Sequence, residues 1–218
     1  MNPLTVYKKL RKKFGPQHWW PVSQVSGVRG QMFEVCVGAI LTQAAAWTNV
    51  EKAIVNLHRA RLMDPERIAK ASIAKLKSAI HPAGYFNQKA KKLKAFVRFL
   101  DAHGGFEKLN KMKVPELRET LLAVWGIGPE TADSIILYAF LKPIFVIDTY
   151  TKRLLASFDI RFKTYDEHRL FFENRLPRNV KMWNEYHALI VAWGKNKKAD
   201  SIGSTQTEQL SLRRVQRQ

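Results

Sequence analysis

The chain has 218 residues, 46% of them hydrophobic, enough to bury a core as one domain or two small lobes and too apolar for a disordered chain. Lys and Arg outnumber Asp and Glu 37 to 18, a formal charge of +19 that selects polyanions as partners without selecting an activity. The single cysteine, Cys36, excludes an intramolecular disulfide and a Cys-only metal site, and its place in the apolar run 33–41 makes it a buried small hydrophobe. No apolar run approaches the roughly 18 residues of a membrane span, and no apolar segment of the signal-peptide kind follows the basic N-terminus. The expected location is cytoplasmic.

In chain order, residues 4–14 read as a basic helix with Leu4, Tyr7, Leu10 and Phe14 on one face. His18-Trp19-Trp20-Pro21 follows, and two adjacent tryptophans before a proline cannot share one face of a regular element. Residues 22–30 read as a loop. Residues 32–43 are apolar on nearly every side, the mark of a central core helix, and end at Gln43. Val50, Ala53, Ile54 and Leu57 give an amphipathic helix; Asp64 caps a short one and Ser72 another. Asn87 is expected to cap a long helix with Leu93, Phe96, Val97 and Leu100 inward and Lys89, Lys91, Lys92 and Arg98 outside, a solvated face by default. Beyond residue 148 come further helices, the last marked by Trp183, Tyr186, His187, Ile190 and Trp193, and then a polar, basic tail, 199–218, expected to be disordered. No strand with period-two alternation and no repeat is visible. The expected class is all-α.

The stretch 121–155 organises the rest. Leu117, Leu121, Leu122 and Val124 give a helix an apolar face, Trp125-Gly126-Ile127-Gly128 breaks it, and Pro129 opens a second helix in the position where a missing N–H costs nothing. The glycines permit a tight turn and a close backbone approach. The turn exposes a helix N-terminus, at Gly128, Glu130 and Thr131, where an anion is favoured. Taken alone, such a turn is equally an ordinary helix–turn–helix packing unit. The apolar run Ile144-Phe145-Val146-Ile147 then leads to Asp148, which heads another helix and reads first as an N-cap.

The segment Leu-x-x-Val-Trp-Gly-Ile-Gly-Pro-Glu-Thr-Ala-Asp-Ser-Ile followed by Val-Ile-Asp-Thr resembles the helix–hairpin–helix and Gly/Pro…Asp signature of the endonuclease III superfamily of DNA glycosylases, with Asp148 eighteen residues past Glu130 as in that family. The resemblance implies a hairpin that grips DNA phosphates through Gly126, Gly128, Glu130 and Thr131, and an aspartate, Asp148, that drives base excision. Bifunctional members carry a lysine, the Schiff-base nucleophile of their lyase chemistry, where this chain has Glu130. That implies a monofunctional enzyme. Many relatives also hold a four-cysteine iron–sulfur cluster after their last helix; this chain has Gly194-Lys195-Asn196-Lys197-Lys198 there, so no cluster, metal or cofactor is expected.

His18-Trp19-Trp20-Pro21, the run from Ala39 to Gln43 and on to Trp47, and Pro82-Ala83-Gly84-Tyr85-Phe86-Asn87-Gln88-Lys89-Ala90 are similar to the 3-methyladenine glycosylase III branch. There Trp19, Trp20, Pro21 and Trp47 would form the pocket for a flipped base, and Gln43 would probe the gap left in the duplex. By themselves these tryptophans read first as core, and Gln43 as a helix-end residue bonding the backbone. Relatives carry a polar pair after this glutamine, where this chain has Ala44-Ala45. An electron-rich indole attracts a cationic N-alkylated purine beyond ordinary stacking. Lys152 and Arg153 meet phosphate or lie on a solvated face; His81, His168 and His187 have no metal-ligand spacing and read as structural.

The implied architecture is one glycosylase domain, 1–198, in two lobes: 47–148, with the hairpin at 115–141, and 1–46 joined to 149–198, with the active cleft between them. The partner would be double-stranded DNA containing a damaged base, the protein a monomer, associated with the nucleoid through its DNA. Other base specificities, a glycosylase-lyase, or a non-catalytic DNA-binding protein using the hairpin alone are the competing readings.

Overall fold

The computed structural model describes residues 1–21 and 27–196, apart from the side chain of Arg29; the expected tail 199–218 and most of the loop 22–30 lie outside the described residues. The protein is all-α, with no strand among the described residues. In chain order the helices are α1 (Pro3–Phe14), α2 (Val28–Leu41), α3 (Trp47–Arg59), α4 (Pro65–Lys70), α5 (Ile73–Ile80), α6 (Phe86–Ala102), α7 (Gly105–Lys111), α8 (Val114–Leu122), α9 (Pro129–Ser134), α10 (Thr149–Ala156), α11 (Tyr165–Glu173) and α12 (Val180–Lys195). A 3₁₀ turn, His81–Ala83, follows α5, and α9 continues as a π-helical segment, Ile135–Ala139. No described helix is long and apolar enough to cross a membrane.

Half of the twelve helix starts among the described residues are set by a capping side chain. Asn2, Asp64, Ser72, Asp148, Thr164 and Asn179 each accept the backbone N–H three residues on, satisfying a donor the helix cannot. Three boundaries differ from the sequence reading. Helix α2 begins at Val28, which is 77% exposed, so its first turn carries no apolar signal. Helix α6 begins at Phe86 after Tyr85, held at φ 44, and Asn87 therefore lies inside the first turn instead of capping it. Helix α2 ends at Leu41, two residues before the expected Gln43.

The chain forms two compact units, Trp20–Ile144 and Met1–Trp19 with Phe145–Gln218. The expected division ran after residues 46 and 148. It differs because α2 packs on α3, α6, α9 and the π segment, and so goes with the larger unit. Phe145 stacks on Phe172 with ring centroids 4.2 Å apart, in an aromatic cluster with Trp183 and Tyr186, and so goes with the C-terminal helices. Within the larger unit α2 is the buried axis, with Phe33, Val35, Cys36, Val37, Ile40 and Leu41 all inside. Its buried Glu34 meets Nε2 of His58 at 2.6 Å.

Lys89 is the largest departure from the expected solvated face. It is 2% exposed, and its ammonium donates to the carbonyls of Leu41 and Ala83, both at 2.8 Å. The last carbonyls of α2 and of the 3₁₀ turn are thereby capped by one side chain. Burial, and then the neighbouring Lys92 charge, push the Lys89 pKa down to about 8.

The two helices of the hairpin are clamped by a buried ion pair. Nε of Arg118, on α8, lies 2.7 Å from Oδ1 of Asp133, on α9, and Asp133 is completely buried. Removing one partner of such a pair leaves a charge without compensation. Asp133→Ala is therefore expected to lower unfolding stability by about 3–5 kcal/mol, read as a lower urea midpoint at unchanged slope. A loss under about 1 kcal/mol would show that Arg118 simply turns outward to water.

Candidate active site

Asp148 sits where an extended segment becomes helix α10. The segment has no sheet to bond, and α11 serves it instead: Phe145 N–H donates to Oε1 of Glu173 (2.9 Å) and Ile147 N–H to the Tyr165 hydroxyl (3.2 Å). Asp148 Oδ1 accepts the Thr151 N–H at 2.7 Å, so the carboxylate is an N-cap as the sequence suggests. Oδ2 lies 3.7 Å from Nε2 of His187 on α12, ion-pair range but longer than a hydrogen bond. The side chain is 13% exposed. Burial works to raise its pKa, but His187 and Thr151 together outweigh burial and hold it below the ordinary carboxylate value. The group is thus an anion at neutral pH, fixed in direction and shielded from most water.

His187 is the residue the sequence reading left aside. It lies in the apolar stripe of α12 and is 5% exposed. The available signal was a titratable side chain at a core position, beside Tyr186 and before Ile190. Trp19 meets the same imidazole edge-on at 6.4 Å, and Nζ of Lys195 lies 5.9 Å from the Trp19 ring centroid. Asp148, His187, Trp19 and Lys195 therefore form one neighbourhood within their unit. Lys152 and Arg153 lie on the exposed face of α10.

Trp20 and Trp47 belong to a second neighbourhood, within the larger unit. Their rings meet edge-to-face at 5.2 Å, and Trp20 lies 5.2 Å from Tyr138 of the π segment. Gly38 of α2 is the floor: a Cβ there would come within 3.0 Å of the Trp20 ring. The Trp47 indole N–H donates to Oε1 of Glu51, one helical turn on, which orients the ring. Pro21 is exposed. Of the four expected pocket residues, Trp20 and Trp47 thus meet within the larger unit, with Tyr138 beside Trp20, and Trp19 belongs to the other unit. The sequence could not place Tyr138, because the π turn shifts its direction; Phe140 N–H bonds back to Ile135, five residues earlier.

In the hairpin the two glycines differ in kind. Gly126 has φ +86, which requires glycine, whereas Gly128 is extended at φ −97 and ψ 179. What Gly128 provides is space: a Cβ there would meet nothing within 4 Å. It precedes the N-terminus of α9, where the helix itself offers no acceptor to the first-turn N–H groups. Glu130 is exposed, its carbonyl accepting from the Ser134 hydroxyl at 2.7 Å. The Thr131 side chain is buried, and its hydroxyl accepts from Gln43 at 2.9 Å instead of facing an outside anion. Gln43 also donates to the Gly126 carbonyl at 3.1 Å. Trp125, 56% exposed, flanks the turn.

Residues 37–178 match the HhH-GPD superfamily of base excision DNA repair proteins. The chain belongs to that superfamily. A Methanocaldococcus jannaschii protein whose name assigns it provisionally to the DNA repair glycosylases is 42% identical over 191 residues, covering 85% of this chain and 84% of that one. Endonuclease III of Thermotoga maritima is 27% identical over 165 residues, 75% of this chain and 73% of the relative. Among solved structures, H. pylori 3-methyladenine DNA glycosylase bound to 1,N6-ethenoadenine superposes with a TM-score of 0.74 at 28% identity, covering 89% of this chain and 98% of that one. A non-covalent endonuclease III–DNA complex gives a TM-score of 0.75 over 99% of both chains; at 18% identity it bears on the fold alone. This HhH-GPD protein is accordingly a DNA glycosylase of base excision repair, with DNA as its partner. Among its described residues no group of three or more His, Cys, Asp or Glu could hold a metal ion.

His187 is one of two residues that keep the buried Asp148 ionised, so His187→Ala should raise the Asp148 pKa. The carbon-13 shift of its carboxyl carbon, followed from pH 2 to 7, reports the midpoint. In the wild type it lies below the ordinary carboxylate value of about 3.9, so the stability this anion contributes is present above that value and is lost as pH falls through the lower, folded-state pKa. An unchanged midpoint in His187→Ala would assign the shift to the Thr151 cap alone.

Proposed function

We propose that this HhH-GPD glycosylase is monofunctional and excises N-alkylated purines, of which 3-methyladenine is the type, from double-stranded DNA, acting as a monomer. The observation that carries the reading is Asp148, a buried carboxylate kept ionised and aimed by its own helix, at the aspartate position of the signature. Asp148 would act as follows. The bond from the sugar C1′ to the base nitrogen breaks and its electron pair leaves with the base, so a cationic alkylated purine departs neutral. The sugar becomes oxocarbenium-like, and the fixed carboxylate stabilises that charge in a site of low dielectric. Water then adds to C1′, giving up its proton with help from the same carboxylate and leaving an abasic sugar.

The substrate class is supported by the indoles of Trp20 and Trp47 with the Tyr138 ring, an electron-rich cluster suited to a cationic base. It is supported also by the 28% identity to the 3-methyladenine enzyme of H. pylori. The absence of lyase chemistry is supported by Glu130: an imine with the sugar needs an amine, and the hairpin offers a carboxylate there. The likeness to endonuclease III favours a second reading, a glycosylase-lyase or another lesion class, and the measurements below separate the two.

Asp148→Asn should still bind DNA and fold, because asparagine caps a helix as well as aspartate, while base release falls by roughly a hundredfold or more. Release near the wild-type rate would reduce Asp148 to a cap. A panel of duplexes, each with one alkylated, deaminated, oxidised or mismatched base and scored for free base, decides the substrate.

The second test concerns the strand. Product duplexes should carry intact abasic sites until heated or treated with alkali, and borohydride should trap no covalent complex. Efficient trapping by the unmodified protein would return it to the bifunctional class, with a lysine outside the hairpin.

A further inference from the structure

The hairpin turn is held by two side chains for which base excision as described above has no use. Both amide hydrogens of Gln43 are engaged, one with the Gly126 carbonyl at 3.1 Å and one with the Thr131 hydroxyl at 2.9 Å. Its Oε1 accepts from the ammonium of Lys92, on α6. The stem of Lys92 lies across Gly126: a Cβ built there would meet Lys92 Cγ at 2.5 Å, Cδ at 2.8 Å and Cε at 2.9 Å. Three segments distant in sequence, the turn after α2, the middle of α6 and the hairpin, therefore converge on one glycine. Next to them Lys89 fixes the end of α2, from which Gln43 projects, through its bonds to Leu41 and Ala83.

The pinned position matters because of what Gly126 is. At φ +86 it is the pivot of the turn, and a glycine pivot is the least restrained residue a backbone can have. Holding its carbonyl limits rotation there, and holding the Thr131 side chain fixes the first turn of α9. Between them lie Ile127, Gly128, Pro129 and Glu130, the backbone that would receive a phosphate. A binding surface fixed before its ligand arrives loses less entropy on binding.

We propose that Gln43 and Lys92 are positioning residues for the phosphate grip: together they staple the hairpin turn into its receiving geometry, and Gln43 serves every duplex instead of only a duplex with a gap. The proposal rests on the reading that the hairpin grips phosphate. It departs from the gap-probing role expected for Gln43, since a side chain entering the gap would have to release three hydrogen bonds.

The test uses the full chain and fluorescence anisotropy with two duplexes, one undamaged and one bearing a tetrahydrofuran abasic analogue. Gln43→Ala should weaken binding to both by the same factor, about tenfold for the two hydrogen bonds the hairpin loses, with an unchanged dependence on salt because no charge is lost. Lys92→Met keeps the stem over Gly126 and removes the ammonium. Its effect should shrink in the Gln43→Ala background, since the two act through one contact, and Lys92→Arg should restore binding. Gly128→Val, which fills the open space before α9, serves as the measure of the grip itself and should weaken both duplexes. If Gly128→Val weakens binding but Gln43→Ala weakens only the abasic duplex, Gln43 is a gap probe and the staple is overturned. Strictly additive effects of Gln43→Ala and Lys92→Met would overturn the pairing. If Gly128→Val leaves both affinities unchanged, the phosphate-grip reading fails and the staple fails with it.

Discussion

The proposed chemistry depends on keeping one carboxylate charged in a place that burial makes hostile to charge. Desolvation raises the Asp148 pKa and so favours the protonated acid, which stabilises no cation. The protein answers with the Thr151 N–H, given by the helix the residue heads, and with the His187 imidazole from α12. The first is local and follows from one residue's position; the second requires α10 and α12 to pack closely. That packing is tight enough that a Cβ on Gly194 would meet the Tyr150 ring at 2.1 Å. Structural capping and a catalytic anion are thus compatible demands on the same atoms, since a capping carboxylate is by construction fixed and ionised.

The hairpin poses the opposite problem. In the proposed phosphate grip the backbone is the functional group, and what must be controlled is its freedom. The answer is again buried polarity, but used as a clamp: Arg118 and Asp133 join the two helices, and the Gln43 contacts hold the turn between them. A clamp of this kind has little to recommend it for stability alone, because an apolar pair of similar volume would serve as well. What ionic and amide contacts supply is direction, and direction is what a set of N–H donors needs.

The parts of this arrangement visible in the sequence are those encoded within a few residues. The caps at Asp64 and Ser72, the hairpin glycines and the position of Asp148 are local spacings that the packing preserves, whereas Asn87, read by the same local signal, falls inside α6. Contacts made between distant segments were not visible. Lys89 reads as a surface lysine because its type prefers water, and its burial is decided by two carbonyls, at Leu41 and Ala83, that only the folded chain brings within reach. His187 reads as structural because its partner lies on another helix. The adjacent Trp19 and Trp20 were recognised as unable to share a face, but not as members of different compact units, because the boundary falls between them. The exposed first turn of α2 was missed because amphipathic periodicity reports only residues that touch a core.

Glu130 shows how a single position can have a structural reason and a chemical consequence that are independent. An acidic side chain in the first turn of a helix is favoured by the dipole, by about 0.3–1 kcal/mol at an exposed site, and α9 is a short helix of six residues that gains from it. The carboxylate could be expected to repel the phosphate the hairpin receives. Against a net charge of +19, however, it is one local anion in a strongly positive field, and at physiological ionic strength its influence decays over about 8 Å. Binding can therefore tolerate a glutamate at this position. Imine chemistry cannot, because a carboxylate has no amine to condense with the sugar. On the proposed reading, the residue leaves the grip intact while removing from the hairpin the group on which strand cleavage would depend.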